Sequence, residues 1–280
     1  MPHAIPRPYA PAPRPLDDFA NAVTAEIAEF EVAEAQYVEA LGGTLTETAD
    51  AVVVRHPTLL HPAFNGALHL TSTPRKFDAF LDRLDADFQR ANVPYGIMTS
   101  PASTPYDAAE RLAARGFLSV GARVWMEVEE SVPTPPYDER ISVRLTQDPG
   151  LWASTVAAGV GLVRELEFLR RLARESRESQ SHRLLLASIK GVPAGACEVA
   201  RDNGIVFVRH LAVTPPSRRQ GVAHALLFRA FELAEELKTV RLATRVMAGS
   251  GVDRLFERYG FVGSHISETF VRARPPFALD

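Results

Sequence analysis

The sequence predicts an α/β (α+β) protein built as two domains, and three observations carry that expectation. Short β-branched apolar runs alternate with stretches whose apolar residues recur at helical spacing. A stretch with three prolines, Ser131 to Asp138, interrupts the pattern midway and reads as a linker. The order of elements then repeats: the segment 110–117 (ERLAARGF) is similar to 253–261 (DRLFERYGF), each joining a late helix to a late strand through Gly-Phe. A length of 280 residues suits two domains of ordinary size. The expected division is a proline-rich arm at 1–15, a first domain at 16–130, the linker at 131–138 and a second domain at 139–280.

The arm carries six prolines among small residues, which excludes helix and central strand and leaves an extended segment. From Leu16 onward, Phe19, Val23, Ile27, Phe30, Ala33 and Tyr37 recur at helical spacing up to Leu41, with Asp17 and Asp18 suited to the start and Gly42-Gly43 stopping the helix. Residues 44–56 read as one strand centred on Ala51-Val52-Val53-Val54, and residues 64–71 as another. Thr73-Pro74 opens a helix with Phe77, Phe80, Leu81, Leu84 and Phe88 on its apolar face. A short strand at 93–99, a helix from Thr104-Pro105 to Gly116 and a long strand at 117–129 complete this half.

The second domain restarts with a clean alternation at 140–145, then helical segments at 149–159 and 162–177 and strands at 182–189 and 194–200. Asp202-Asn203-Gly204 is a hairpin signal. It leads into Val206, Phe207, Val208, Leu211 and Val213, a buried strand ended by Pro215-Pro216. The helix that follows carries Leu226, Ala230, Leu233 and Leu237 on one stripe, with Leu227, Phe231 and Ala234 beside it. Between strand and helix lies Arg218-Arg219-Gln220-Gly221-Val222-Ala223. Two cations and two small residues stand where a helix start presents unpaired N–H groups and the positive end of its dipole. That is the chemistry of a phosphate cradle. A strand at 239–246, a helix at 252–259 and strands from Phe261 to Arg274 finish the chain.

The pattern Arg218-x-x-Gly221-x-Ala223, set between such a strand and such a helix, resembles the pyrophosphate-binding signature of the GNAT superfamily, the acyl-CoA-dependent N-acyltransferases. The element order of 139–280 is similar to that fold throughout. The resemblance implies two GNAT-like domains, each a mixed, mostly antiparallel central sheet flanked by helices, with the second sheet splayed after its fourth strand to admit acyl-CoA. It further implies that main-chain groups at Leu211, Ala212 and Val213 hold the acyl carbonyl and pantetheine arm. Arg218, Arg219, Gln220, Gly221, Val222, Ala223 and His224 would hold the pyrophosphate. Acetyl-CoA is the expected donor, and a small-molecule or peptide amine the expected acceptor. The first domain has Ser72-Thr73-Pro74-Arg75-Lys76-Phe77-Asp78 where a cradle would fall, with no glycine, and resembles the degenerate first half of some tandem members.

The acid and base depart from the family pattern. The family's tyrosine in a Leu-Tyr-x-x-x-Gly-Phe run is Phe256 here, and Tyr259 lies three residues later. Gly249 stands seven residues before Phe256, where relatives often place an asparagine. Phe207 occupies the common base position four residues before Leu211. The remaining candidates are Glu198 on the neighbouring strand, Tyr259 as an acid, and His210, which by strand alternation faces away from Arg209 and Phe207. A substrate amine arriving neutral, with water shuttling protons, is the alternative for an enzyme. Phe207 and Phe256 also leave open a non-catalytic acyl-CoA-sensing or protein-interaction module.

Composition narrows the partners. A net charge of −3 offers no basic excess for nucleic acid. Arg164, Arg170, Arg171, Arg174 and Arg177 are interleaved with glutamates, as on a solvated helix face. Cys197 is the only cysteine, which precludes an internal disulfide and reads as a buried structural thiol in a reducing compartment. No apolar run approaches the roughly 18 residues of a membrane span, and no apolar leader is visible, so a cytoplasmic location is expected. A homodimer is left open. The histidines are scattered without ligand spacing, so no metal is expected.

Overall fold

The computed structural model of the chain describes residues 16–128, 137–237 and 241–272, without the side chains of 16–22. The proline-rich arm and most of the linker lie outside the described residues. The first half contains α1 (Leu16–Ala40), β1 (Thr44–Glu47), β2 (Val52–Arg55), β3 (Gly66–Leu68), α2 (Phe77–Arg90), β4 (Gly96–Thr99), α3 (Ala108–Ala114) and β5 (Phe117–Val128). The second contains β6 (Ile141–Leu145), α4 (Pro149–Val160), α5 (Leu166–Glu178), β7 (His182–Ile189), β8 (Val192–Asp202), β9 (Ile205–Val213), α6 (Val222–Glu236), β10 (Leu242–Met247), α7 (Asp253–Glu257) and β11 (Phe261–Arg272).

Two expectations need correction. Residues 44–56 are a hairpin of β1 and β2, not one strand. The Thr48 hydroxyl accepts from the amides of Asp50 and Ala51 and donates to the Ala51 carbonyl at 2.7 Å, turning the chain back. Beyond Phe261 the chain forms one long strand rather than several.

The strands form one mixed sheet in the order β1-β2-β3-β4-β11-β5-β10-β9-β8-β7-β6. The halves meet by exchanging their last strands. β5, from the first half, lies between β10 and β11, antiparallel to both. β11, from the second half, lies between β5 and β4, again antiparallel to both. Each half therefore keeps its own mixed, mostly antiparallel set of strands, but the sheets are continuous rather than separate.

Helices cover both faces. On one, α2 and α3 pack Phe77, Phe80, Leu84, Phe88 and Leu112 against Val53, Ile97 and Phe270. On the same side, α6 packs Val222, Leu226, Leu227 and Ala230 on the second half, with Phe256 of α7 and Phe261 of β11 in the same cluster. The opposite face belongs to α1, α4 and α5, whose Phe30, Tyr37, Trp152, Val156 and Leu172 share a core with β2, β8, β9 and β10. Helix α1 thus reaches across the seam onto the second half. Cys197 is fully buried, as expected of a structural thiol.

Because β5 fills the position between β10 and β11, residues 139–280 alone would expose two unpaired edges and the apolar sheet surface that α1 covers. We expect that fragment to give no cooperative thermal transition on its own, and to recover one when co-expressed with residues 16–130. A sharp melt of the isolated fragment would contradict the exchange.

Candidate active site

Strands β9 and β10 run parallel but stay together for only three rungs, Val206–Leu242, Phe207–Ala243 and Val208–Thr244. The Thr244 hydroxyl closes the last rung by donating to the Val208 carbonyl at 2.9 Å. Beyond it β9 continues to Val213 while β10 follows β5. Thr214 donates its amide to Ala194 of β8 at 2.9 Å. By alternation, Val213 and Leu211 direct theirs to the opposite edge, into the gap between the parted strands.

A bulge interrupts β9 here. Ala212 faces Ala196 and Arg209 faces Glu198, so His210 and Leu211 together oppose Cys197. His210 sits at φ +54°. The extra residue breaks the alternation expected from sequence, and His210 turns to the same face as Arg209, toward α1 and α4. Its ring meets Trp152 edge-on at 5.9 Å and its Nε2 lies 3.4 Å from Tyr37 Oη.

At the end of β9 a short turn, Pro215–Ser217, leads to Arg219 at φ +61° and Gly221 at φ +85°, the cap of α6. A Cβ at Gly221 would meet nothing closer than Ile141 Cδ1 at 3.5 Å, so it is the left-handed backbone, not space, that calls for glycine. Among the described residues, the amides of Arg219, Gln220, Gly221, Val222 and Ala223 find no acceptor of hydrogen-bond geometry. The Arg218 guanidinium donates to the carbonyls of Gly159 (2.9 Å) and Val213 (3.4 Å), tying β9 to the end of α4. Arg219 is exposed. His224, in the first turn of α6, shares a 2.7 Å hydrogen bond with the hydroxyl of Tyr259, and the two rings stack. Tyr259 thus stands on the cradle side of the sheet, away from His210. Phe256 is packed edge-on against Phe261 at 5.0 Å.

On the α1 face, a buried polar cluster lies where the strands part. Glu34 of α1 accepts from Arg209 of β9 at 2.8 Å and from Arg245 of β10 at 2.7 Å, one carboxylate oxygen each. Burial alone would raise the Glu34 pKa, but the two guanidinium groups bring it down to about 2. Burial lowers Arg245 to about 10 in spite of Glu34, with Arg123 and Arg209 adding repulsion. The Arg209 guanidinium also lies 3.9 Å over the Tyr37 ring.

Glu198 is fully buried beneath this cluster. It accepts from Tyr37 Oη at 2.8 Å, and His182 Nδ1 lies 3.1 Å from its other oxygen. Burial works against its ionisation, but His182 and then His210 hold its pKa down to about 2. His182, whose Nε2 is 3.6 Å from Asp202, is disfavoured as a cation by burial and yet carried up to about 9 by Asp202 and Glu198. His210 goes the other way: burial lowers its pKa below the ordinary 6.5, against the pull of Glu198.

The sequence singled out Glu198, His210 and the loop before α6 as candidates, whereas Glu34, Tyr37, Arg209, Arg245 and His182 come beside them only in the structure. One signal was present: Glu34 lies on the α1 stripe between Phe30 and Tyr37, a charge where only apolar residues were expected. Among the described residues no group of histidine, cysteine or carboxylate side chains could hold a metal ion, and no helix is long and apolar enough to cross a membrane.

Residues 162–277 match the model of the acetyltransferase (GNAT) domain. Among solved structures, a GCN5-related N-acetyltransferase from Kribbella flavida superposes with a TM-score of 0.68 at 15% identity, over 90% of this chain and 98% of that one. A GCN5-related N-acetyltransferase from Sphaerobacter thermophilus gives 0.57 at 18% identity, over 91% and 95%. A tandem GNAT protein from the clavulanic acid biosynthesis pathway gives 0.59 at 12%, over 91% and 96%. At such identities these likenesses concern the fold, including its two-half arrangement. No curated protein matches the sequence.

The buried pair sets a pH window for stability. His182 has a raised folded pKa, so its contribution is whole below 6.5 and fades as pH rises through about 9; Glu198 has a lowered one, so its contribution is whole above 4.5 and fades as pH falls through about 2. Thermal melts should therefore show a decline in Tm on the alkaline side that is flattened in His182→Gln. An identical alkaline slope in the variant would contradict the pairing.

Proposed function

We propose that the chain is an N-acetyltransferase that transfers the acetyl group of acetyl-CoA directly to an amine at the end of β9. The observation that carries this reading is the run of unsatisfied amides from Arg219 to Ala223 at the mouth of the parted strands. Those amides and the positive end of α6 suit a diphosphate, with Arg219 free to add charge; Arg218 is occupied in bracing the strand. The amides of Leu211 and Val213 would orient the pantetheine arm and the acyl oxygen. Acetyl-CoA supplies the acyl group as a thioester.

The proton chemistry falls to His210 at the bulge. Its lowered pKa keeps the imidazole neutral near pH 7, and with Nε2 turned toward Tyr37 and Glu198, Nδ1 is the nitrogen left to take a proton from an attacking amine. Tyr37 and Glu198 behind it stabilise the resulting imidazolium, from 3.4 Å and 3.7 Å. Glu198 itself has no exposed surface and stays ionised, so we assign it this supporting role rather than direct contact with substrate. Tyr259 we assign to the cradle, where it fixes His224. A second reading, binding without turnover, draws on Phe207 and Phe256, both buried and without a proton to give.

Saturating acetyl-CoA should raise the melting temperature where adenosine does not, and Gly221→Val should abolish the shift. A protein that neither binds nor is stabilised by acetyl-CoA overturns the proposal. Thiol release across an amine panel separates the two readings. In the catalytic one, His210→Gln lowers kcat about 10²- to 10⁴-fold with acetyl-CoA affinity unchanged. Since only neutral His210 can act, wild-type kcat/KM should fall as pH drops through a pKa below 6.5, and the variant should lack that limb.

A further inference from the structure

On the α1 face an open cavity of about 70 Å³ lies beside the seam, with His61, Gly66, Met98, Arg123 and Arg245 among its walls and Glu34 lining it as well. The charges there do not balance. Both oxygens of Glu34 are taken, by Arg209 and Arg245. Arg123 of β5 has no carboxylate partner among the described residues, and Arg209 keeps Nε and Nη2 buried without an acceptor. Arg209 and Arg245 thus share Glu34, and Arg123 stands in the cavity wall without a carboxylate of its own among the described residues. The further acid acting on His61 is Glu165, while His61 itself is pushed toward the neutral form by burial. The Arg123 guanidinium in the cavity wall favours an anion, and a planar carboxylate fits its fork. Glu34 in the cavity wall holds Arg209, whose guanidinium lies over the Tyr37 ring, and Tyr37 Oη is 3.4 Å from His210 Nε2, so the cavity and the bulge are joined through packed side chains.

We infer that the amine acceptor carries a carboxylate, held by Arg123 in this cavity while its amino group faces His210: an amino acid or close derivative, not a polyamine or a neutral amino sugar. The inference rests on the proposed acetyl transfer but concerns residues separate from the cradle. Polyamines would meet an uncompensated positive wall.

Calorimetry on the full chain with CoA present tests it, using product mimics so that the result does not depend on turnover. N-acetyl amino acids are compared with N-acetylated amines of the same side chain lacking the carboxylate, and with N-acetylphosphoethanolamine as a phosphate arm. The carboxylates should bind at least tenfold more tightly than their matched amines. Arg123→Gln should erase that preference and Arg123→Lys should keep part of it. Equal binding of the matched amines, a preference that survives Arg123→Gln, binding of the phosphate arm alone, or no binding by any mimic overturns the inference. The acetyl-CoA melting shift, measured on the same samples, reports folding of the variants and tests the function separately. If that shift persists without carboxylate preference, only the acceptor class is wrong; if it is absent, the transfer itself is.

Discussion

One carboxylate, Glu34, receives a guanidinium from each of two strands at the point where they part. A parallel pair that separates gives up its ladder, and something must hold the diverging ends at a set distance. Here that brace is an ion pair to a helix from the other half of the chain. A buried carboxylate between two guanidinium groups is expensive to desolvate but more expensive to break, because removing it would leave two cations in a poorly solvated place. The first half therefore builds the site rather than merely adjoining it. Exchange of β5 and β11 gives the same dependence at the level of the backbone.

The bulge in β9 is the second local decision with a long reach. By admitting one extra residue opposite Cys197 it places Arg209 and His210 side by side on the α1 face. A regular strand would have sent the imidazole to the α6 side, among Val208 and Leu226. The sheet thereby divides the labour of the proposed reaction. The mouth at α6 offers amides and dipole to phosphates, and the α1 face offers a neutral imidazole backed by Tyr37 and ionised Glu198. Burial acts on every one of these groups, and the outcome differs with the partner. His182 sits between two carboxylates and is driven toward the cation, while His210, sharing Glu198 at 3.7 Å with Arg209 beside it, is driven toward the neutral ring.

Much of the fold was legible because its signals are local. The proline pair after β9, Gly221 at the α6 cap and the stripe Leu226, Ala230, Leu233 mark elements whose ends depend on neighbours a few residues away. The β1–β2 hairpin escaped because its turn is made by a threonine side chain rather than by glycine or proline. The candidate loop before α6 was legible for the same local reason. Arg245, Tyr37 and His182 were not, since each is one of many of its kind until the sheet brings them together, as Tyr37 and Glu198 are brought across 161 positions.

By itself the sequence determined most of the order and kind of the elements and the glycine turn that opens α6, because periodicity, proline and glycine act through the chain's own next few residues. Tertiary structure alone decided that the halves share one sheet, that His210 faces α1, and that Glu34 closes the gap between β9 and β10. Those outcomes depend on which strand edges pair and which charges are buried against each other, and neither leaves a periodic trace in the chain.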